Sequence, residues 1–99
     1  MKIIKQYVEK IDEELEGAKD YAEKFVEYRV KGNMTAANSF KEMAIDELRH
    51  ASVIHEMAVK EIEEISKVYT PPAEMQKVWD ESHKKYVERA AWIKQMLAM

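Results

Sequence analysis

The stretch KGNMT, residues 31–35, separates two long segments in which apolar residues recur every three or four positions. Gly32 can end a helix from the left-handed backbone region, where glycine has no steric penalty. Thr35 can cap the start of the next helix with its side-chain oxygen. The stretch therefore predicts one helix before it and another after it.

A second break lies at Tyr69-Thr70-Pro71-Pro72, where Thr70 can act as an N-cap and the prolines suit the first turn of a helix. The chain contains only two glycines and two prolines. So little turn chemistry favours a few long helices over many strands, and we predict an all-α fold. The predicted helices lie near residues 2–30, 35–67 and 72–97.

Composition excludes several classes of function. The 99 residues support one domain, and 16 basic against 19 acidic residues argue against a protein that neutralises nucleic-acid phosphates. The absence of cysteine excludes disulfides, cysteine-bound zinc and thiol catalysis. No apolar run approaches the roughly 20 residues of a membrane span, and the first residues become charged too quickly for a signal peptide. We therefore expect a cytoplasmic protein without membrane or nucleic-acid partners.

Each segment carries an apolar stripe at helical spacing, of the width typical of helices in a bundle. The first stripe comprises Ile4, Tyr7, Ile11, Ala18, Tyr21, Phe25 and Tyr28. The second comprises Phe40, Met43, Ile54, Met57, Ile62 and Ile65. The third comprises Met75, Trp79, Tyr86, Ile93 and Leu97. The middle segment also has a seam of small residues that would let another helix approach closely: Ala37, Ala44, Ala51 and Ala58.

Three polar residues interrupt the first two stripes. Glu14 fills the gap between Ile11 and Ala18, and Glu47 and His50 lie one turn apart in the gap of the second stripe. The inward faces thus hold two carboxylates and one imidazole, with no basic residue between them. Burying an unpaired carboxylate is expensive, so a proton, a basic group, water or a cation must compensate for it.

Carboxylate and imidazole ligands together suit iron(II), manganese(II) and zinc(II). A helical Glu-x-x-His pair with a lone glutamate on a neighbouring helix is the ligand pattern of di-iron and di-manganese carboxylate bundles. The sequence therefore predicts Glu14, Glu47 and His50 as metal ligands. The alternatives are that Glu14 is a solvated surface residue, and that Glu47 and His50 form a hydrogen bond on a helix face at a subunit interface.

Four further residues have candidate roles. Asp46 could orient a ligating imidazole as a hydrogen-bond acceptor, or it could be an ordinary solvated residue. Tyr21 lies on the inward face two turns from Glu14 and could serve as a hydrogen-bonding or redox-active neighbour. We expect His55 to lie on the surface. We expect His83 to be a hydrogen-bonded residue at the edge of the core, with an extra metal ligand or a proton carrier as the alternative.

Two motifs resemble the ferritin-like superfamily, especially bacterioferritin and rubrerythrin. They are ELEGAKDY, residues 14–21, and AIDELRHA, residues 44–51, which is similar to the Asp-Glu-x-x-His-Ala signature of the family's second helix. The resemblance implies that Glu14 is a terminal carboxylate ligand, Glu47 a bridging carboxylate and His50 the histidine ligand.

A full ferritin-like chain repeats this ligand set on a second pair of helices, but no Glu-x-x-His follows Pro72. The chain therefore holds half of a two-metal site, as do the half-length encapsulated ferritins, which complete such a site across a dimer. The resemblance implies that residues 1–68 form an antiparallel helical hairpin carrying the ligands. Residues 69–99 would add a third helix to the same domain, and a homodimer or higher homo-oligomer would complete the four-helix bundle.

The function that the resemblance implies is binding and oxidation of iron(II) by dioxygen or peroxide, at a di-iron site shared between two subunits. Manganese or zinc could occupy the same ligands. Two alternatives remain: a non-enzymatic helical scaffold with a vestigial site, and metal storage without turnover.

Overall fold

The computed structural model describes residues 2–99 and contains three helices: α1 spans Lys2–Val30, α2 spans Met34–Val68 and α3 spans Ala73–Leu97. The described residues include no strand. The all-α prediction is therefore confirmed, and the predicted helix ends agree with the observed ones to within one residue.

The turn between α1 and α2 is built as predicted at Gly32 but not at Thr35. Gly32 has a φ of +80°, its N–H bonds the carbonyl of Arg29, and the N–H of Asn33 bonds the carbonyl of Tyr28. These two hydrogen bonds satisfy two of the carbonyls that the end of α1 leaves unpaired. The side chain of Asn33 then accepts a hydrogen bond from the Ala36 N–H at 3.1 Å, so Asn33, and not Thr35, caps α2.

The expected cap at Thr70 is also absent. Pro72 occupies the N-cap position of α3 without a side-chain hydrogen bond. Its carbonyl accepts hydrogen bonds from the backbone N–H groups of Met75 and Gln76. The helix thus starts from a proline, whose φ already suits this position.

The alanine seam is the part of α2 that packs most closely. Its four alanines are fully buried, whereas Met43 and Met57 of the predicted stripe are 40% and 51% exposed. The small residues let α1 approach closely, so the larger apolar residues of α2 flank the contact. On α1 the stripe includes two buried residues that the sequence analysis left out, Leu15 and Ala22.

Two apolar clusters hold the helices together. One joins the first half of α1 to the second half of α2 and to Trp79 and Ala90 of α3. The other joins the end of α1 to the first half of α2 and to Ile93 and Leu97 of α3. The helix α3 packs mainly on α1. The resulting body measures 55 × 18 × 17 Å.

Candidate metal centre

The three predicted ligands come together beside the contact between α1 and α2. Nδ1 of His50 lies 3.5 Å from Oε2 of Glu14 and 3.9 Å from Oε1 of Glu47. One ligand atom from each residue lies within 4.8 Å of the others. The three side chains therefore converge closely enough to contact a common ion.

The cluster is only partly enclosed. The side chains of Glu14 and Glu47 are 21% and 26% exposed, while that of His50 is 45% exposed. Glu14 lies at the flank of the buried stripe of α1, because Leu15 fills the core position beside it. The site therefore lies at the edge of the helix pair, with the imidazole on its open side.

The two carboxylates lie within 4.8 Å of each other. A hydrogen bond with Glu14 raises the pKa of Glu47 above its ordinary value, and burial and the negative charge of Glu14 raise it further. His50 has a smaller effect that lowers this pKa, and Asp46 one that raises it. Two carboxylates can hydrogen-bond to each other only when one of them holds a proton. The cluster therefore favours a proton or a metal cation between them.

Gly17 makes room for this arrangement and is a site residue that the sequence analysis missed. A Cβ at Gly17 would lie 3.2 Å from Oε2 of Glu47, closer than about nine in ten Cβ contacts. The bare backbone of α1 thus lets the Glu47 carboxylate lie against it. A glycine in the interior of a helix is unfavourable, and this was the available signal for a close approach.

Asp46 and Tyr21 have other neighbours within the chain. The carboxylate of Asp46 lies 3.7 Å from Arg49 and makes no hydrogen bond with His50 within residues 2–99. The ring of Tyr21 lies 6.2 Å from that of Phe40, centroid to centroid. The predicted roles of both residues at a metal stay predictions.

His55, which we expected on the surface, is half-buried. It stacks on the rings of Trp79 and Tyr86, with centroids 5.3 and 4.8 Å away, and its Nε2 lies 2.8 Å from Nδ1 of His83. Because one imidazole nitrogen must donate and the other accept, the pair shares one hydrogen bond. His83 is hydrogen-bonded, as predicted, and the two histidines connect α2 to α3.

The chain matches no protein-family model, no curated protein and no solved structure. The described helices include none that is long and apolar enough to cross a membrane.

Proposed function

We propose that this protein binds divalent metal ions, iron(II) first among them, through Glu14, Glu47 and His50. The observation that carries the proposal is the convergence of these three ligand atoms within 4.8 Å. Two carboxylates and one imidazole form a donor set that iron(II), manganese(II) and zinc(II) accept. The raised pKa of Glu47 supports it, because a cation can replace the proton that otherwise relieves the repulsion between the carboxylates.

A second copy of the chain completes the site in this proposal. Three ligands leave an iron or manganese ion with unfilled positions, and the exposed imidazole of His50 lies on the open side of the cluster. On the same face of α2, Met43 and Met57 are exposed apolar side chains that a partner could cover. The short turn and the two apolar clusters support an antiparallel hairpin of α1 and α2, and two such hairpins form a four-helix bundle.

The chemistry follows from the metal. Iron(II) held by the paired ligand sets would be oxidised by dioxygen or peroxide, which is ferroxidase chemistry of the ferritin-like kind. The protein's contribution is to bring two carboxylates and an imidazole to one ion, which takes the place of the proton between the carboxylates, and to leave positions open to the oxidant.

The test is the metal content of purified protein loaded with iron(II) or manganese(II) under exclusion of oxygen. We expect one ion per chain, and loss of that ion in Glu47→Ala and in His50→Ala. Glu42→Ala removes an exposed carboxylate from the same helix and should keep the ion. If Glu47→Ala and His50→Ala retain as much metal as Glu42→Ala, the ligands lie elsewhere.

Oxidation and assembly are tested separately. Admitting oxygen to the iron(II)-loaded protein should produce ferric absorbance faster than in Glu47→Ala. Sedimentation should report a dimer or a multiple of one, and Met57→Glu should dissociate it, because a charge would be buried in the interface. Metal binding without iron oxidation would favour storage, and a stable monomer that binds metal would contradict the shared site.

A further inference from the structure

A groove of about 540 Å³ runs between α2 and α3, and none of the three candidate metal ligands lines it. Its apolar wall includes Ile45 and Leu48 of α2 and Ala90 and Leu97 of α3. The groove exists because α3 packs mainly on α1 and leaves α2 partly uncovered. Its volume falls within the range of roughly 300–1,000 Å³ that is typical of small-molecule sites.

The charge on this groove is opposite to that of the protein. Lys41, Arg49 and Lys94 line it, and no acidic residue does, although the chain has a net charge of −3. A local group of cations on an acidic protein attracts anions to that one place.

The two lysines lack the acidic neighbours that most lysines of this chain have. Only Lys2, Lys41 and Lys94 have no aspartate or glutamate three or four residues away, the spacing at which helical side chains pair. Within residues 2–99, Lys41 and Lys94 form no salt bridge, whereas Lys24 and Lys31 both pair with Glu27. The Lys41 ammonium lies 5.6 Å from the centroid of the Phe25 ring, and Arg49 lies 3.7 Å from Asp46. The two lysine charges therefore have no carboxylate partner within the described residues, whereas Arg49 does.

Two of the three cations, Lys41 and Lys94, lie toward one end of the groove, whereas Arg49 lies one helical turn from Ser52. Lys41 lies one helical turn after Ala37, and Lys94 comes directly after Ile93. Ala37 and Ile93 belong to the same apolar cluster, so the two lysines lie at the same end of the groove. The other end is formed by Ser52 and Tyr86, which carry no charge. Eleven residues separate Lys41 from Ser52, a rise of about 16 Å along a helix. The groove therefore has two lysines without a carboxylate partner at one end and an apolar wall along its length.

We propose that this groove binds a free long-chain carboxylate, with its carboxylate at Lys41 and Lys94 and its alkyl chain over Ile45 and Leu48. A carboxylate with two ammonium groups forms charge-assisted hydrogen bonds. The alkyl chain removes exposed apolar surface from water, since 48% of Ile45 is exposed. A partner protein fits less well, because a stable protein interface buries more than about 1,000 Å² and this groove is only three helical turns long.

The binding test uses dodecanoate below its micellar concentration, with metal removed by a chelator, and isothermal titration calorimetry. We expect one dodecanoate per chain, with an affinity that falls as salt rises. Dodecyltrimethylammonium has the same chain length but a cationic head, and it should bind at least tenfold more weakly. Equal binding of the two amphiphiles, or binding of neither, would overturn the proposal.

Variants locate the site. Lys41→Gln/Lys94→Gln should weaken dodecanoate binding at least tenfold, whereas Lys24→Gln/Lys67→Gln removes two paired lysines elsewhere and should leave it unchanged. Ile45→Asp places an anion on the exposed wall and should abolish binding while circular dichroism shows an intact helical fold. If Lys41→Gln/Lys94→Gln binds dodecanoate with wild-type affinity, the ligand binds outside this groove.

Two other binding partners of the groove would give different results. Binding to anionic phospholipid vesicles without binding of free dodecanoate would make a membrane surface the ligand and refute the proposal. A fall in sedimentation coefficient with Ile45→Asp, in a protein that binds no dodecanoate, would make the groove an interface between copies. The metal proposal is unaffected in either case, because its ligands lie outside the groove.

Discussion

Gly17 sits in the middle of α1, where glycine costs about 1 kcal/mol relative to alanine. The Glu47 carboxylate occupies the space that a side chain at Gly17 would need. An added Cβ at 3.2 Å would push that carboxylate away by a few tenths of an ångström. Glycine at this position lowers the stability of the helix relative to alanine but leaves room for one candidate ligand. Such a local cost is typical of a functional site.

Gly17→Ala should therefore separate stability from metal binding. We expect the free energy of unfolding of the metal-free protein to rise by up to about 1 kcal/mol, because alanine is the better helix former and the end of a glutamate side chain can move. Metal affinity should fall, because the displaced carboxylate fits the ion less well. Urea unfolding measures the first quantity, and titration with manganese(II) measures the second.

Gly32→Ala is the matched control, since this position has a φ of +80° and no atom within 4 Å of an added Cβ. It should lower the free energy of unfolding by roughly 1 kcal/mol through backbone strain alone. Its intrinsic metal affinity should stay at the wild-type value. If Gly17→Ala also binds metal like the wild type, the close approach of Glu47 to α1 is not needed for binding.

At the scale of the elements, helix lengths were predictable because Gly32 and the two prolines are strong signals for the end and the start of a helix. The cap of α2 was not, because asparagine and threonine both make good caps and the sequence offers one of each. The turn decides between them. The N–H of Asn33 is already bonded to Tyr28 at the end of α1, which fixes Asn33 directly before the first residue of α2.

Asn33→Ala should lower the free energy of unfolding by about 1 kcal/mol, because it removes the side-chain acceptor for the Ala36 N–H. Thr35→Ala changes an exposed residue inside α2 and should stay within about 0.5 kcal/mol of the wild type. Urea unfolding of the two variants side by side is the measurement. A larger loss in Thr35→Ala would return the cap to Thr35.

The position of His55 could not be derived from the pattern of α2 alone. Helical periodicity defines one inward face, but α2 has two neighbours, and His55 faces α3 while the alanine seam faces α1. Burial lowers the pKa of His55, the charge of His83 lowers it further, and Glu56 opposes these effects. The stack with Trp79 and Tyr86 therefore favours a neutral imidazole.

Stability should consequently depend on pH through this stack. With the pKa of His55 lowered in the folded state, the unfolded state binds more protons as pH falls below its ordinary value of about 6.5, so stability declines there. The full contribution is present above that value and is lost as pH falls through the folded pKa. His55→Phe keeps the aromatic stack without titrating, and its melting temperature should fall less than that of the wild type between pH 7.5 and 5.5. If the melting temperatures of His55→Phe and the wild type change equally with pH, the titration of His55 does not control this pH dependence.

At the scale of the whole molecule, the convergence of Glu14, Glu47 and His50 was predictable because each is a polar residue that interrupts an apolar stripe. The fit of Glu14 against Glu47 depends on how α1 lies along α2, which the turn at Gly32 and the alanine seam set together. Sequence spacing describes one helix at a time, so it placed Glu14 on the inward face, whereas the packed pair places Leu15 there and Glu14 at the edge. An edge position is what a site shared with a second copy requires.

Metal should stabilise the whole protein, and more at neutral than at acidic pH. In the metal-free protein the raised pKa of Glu47 makes the native state hold more protons than the unfolded state. That contribution to stability is present below the unfolded pKa of about 4.3 and is lost as pH rises through the folded pKa. Metal reverses this dependence, because the ion takes the place of the proton: binding releases protons, so it weakens as pH falls.

The measurement is the melting temperature of metal-free and manganese(II)-loaded protein at pH 5, 6, 7 and 8. At one hundred times the dissociation constant, a ligand that binds only the native state adds about 2.7 kcal/mol, and the shift should shrink toward pH 5. Glu47→Gln should melt higher than the wild type without metal at neutral pH, because it removes the repulsion between the carboxylates, and should gain little from manganese(II). If this variant gains as much as the wild type, the ion binds outside the cluster of Glu14, Glu47 and His50.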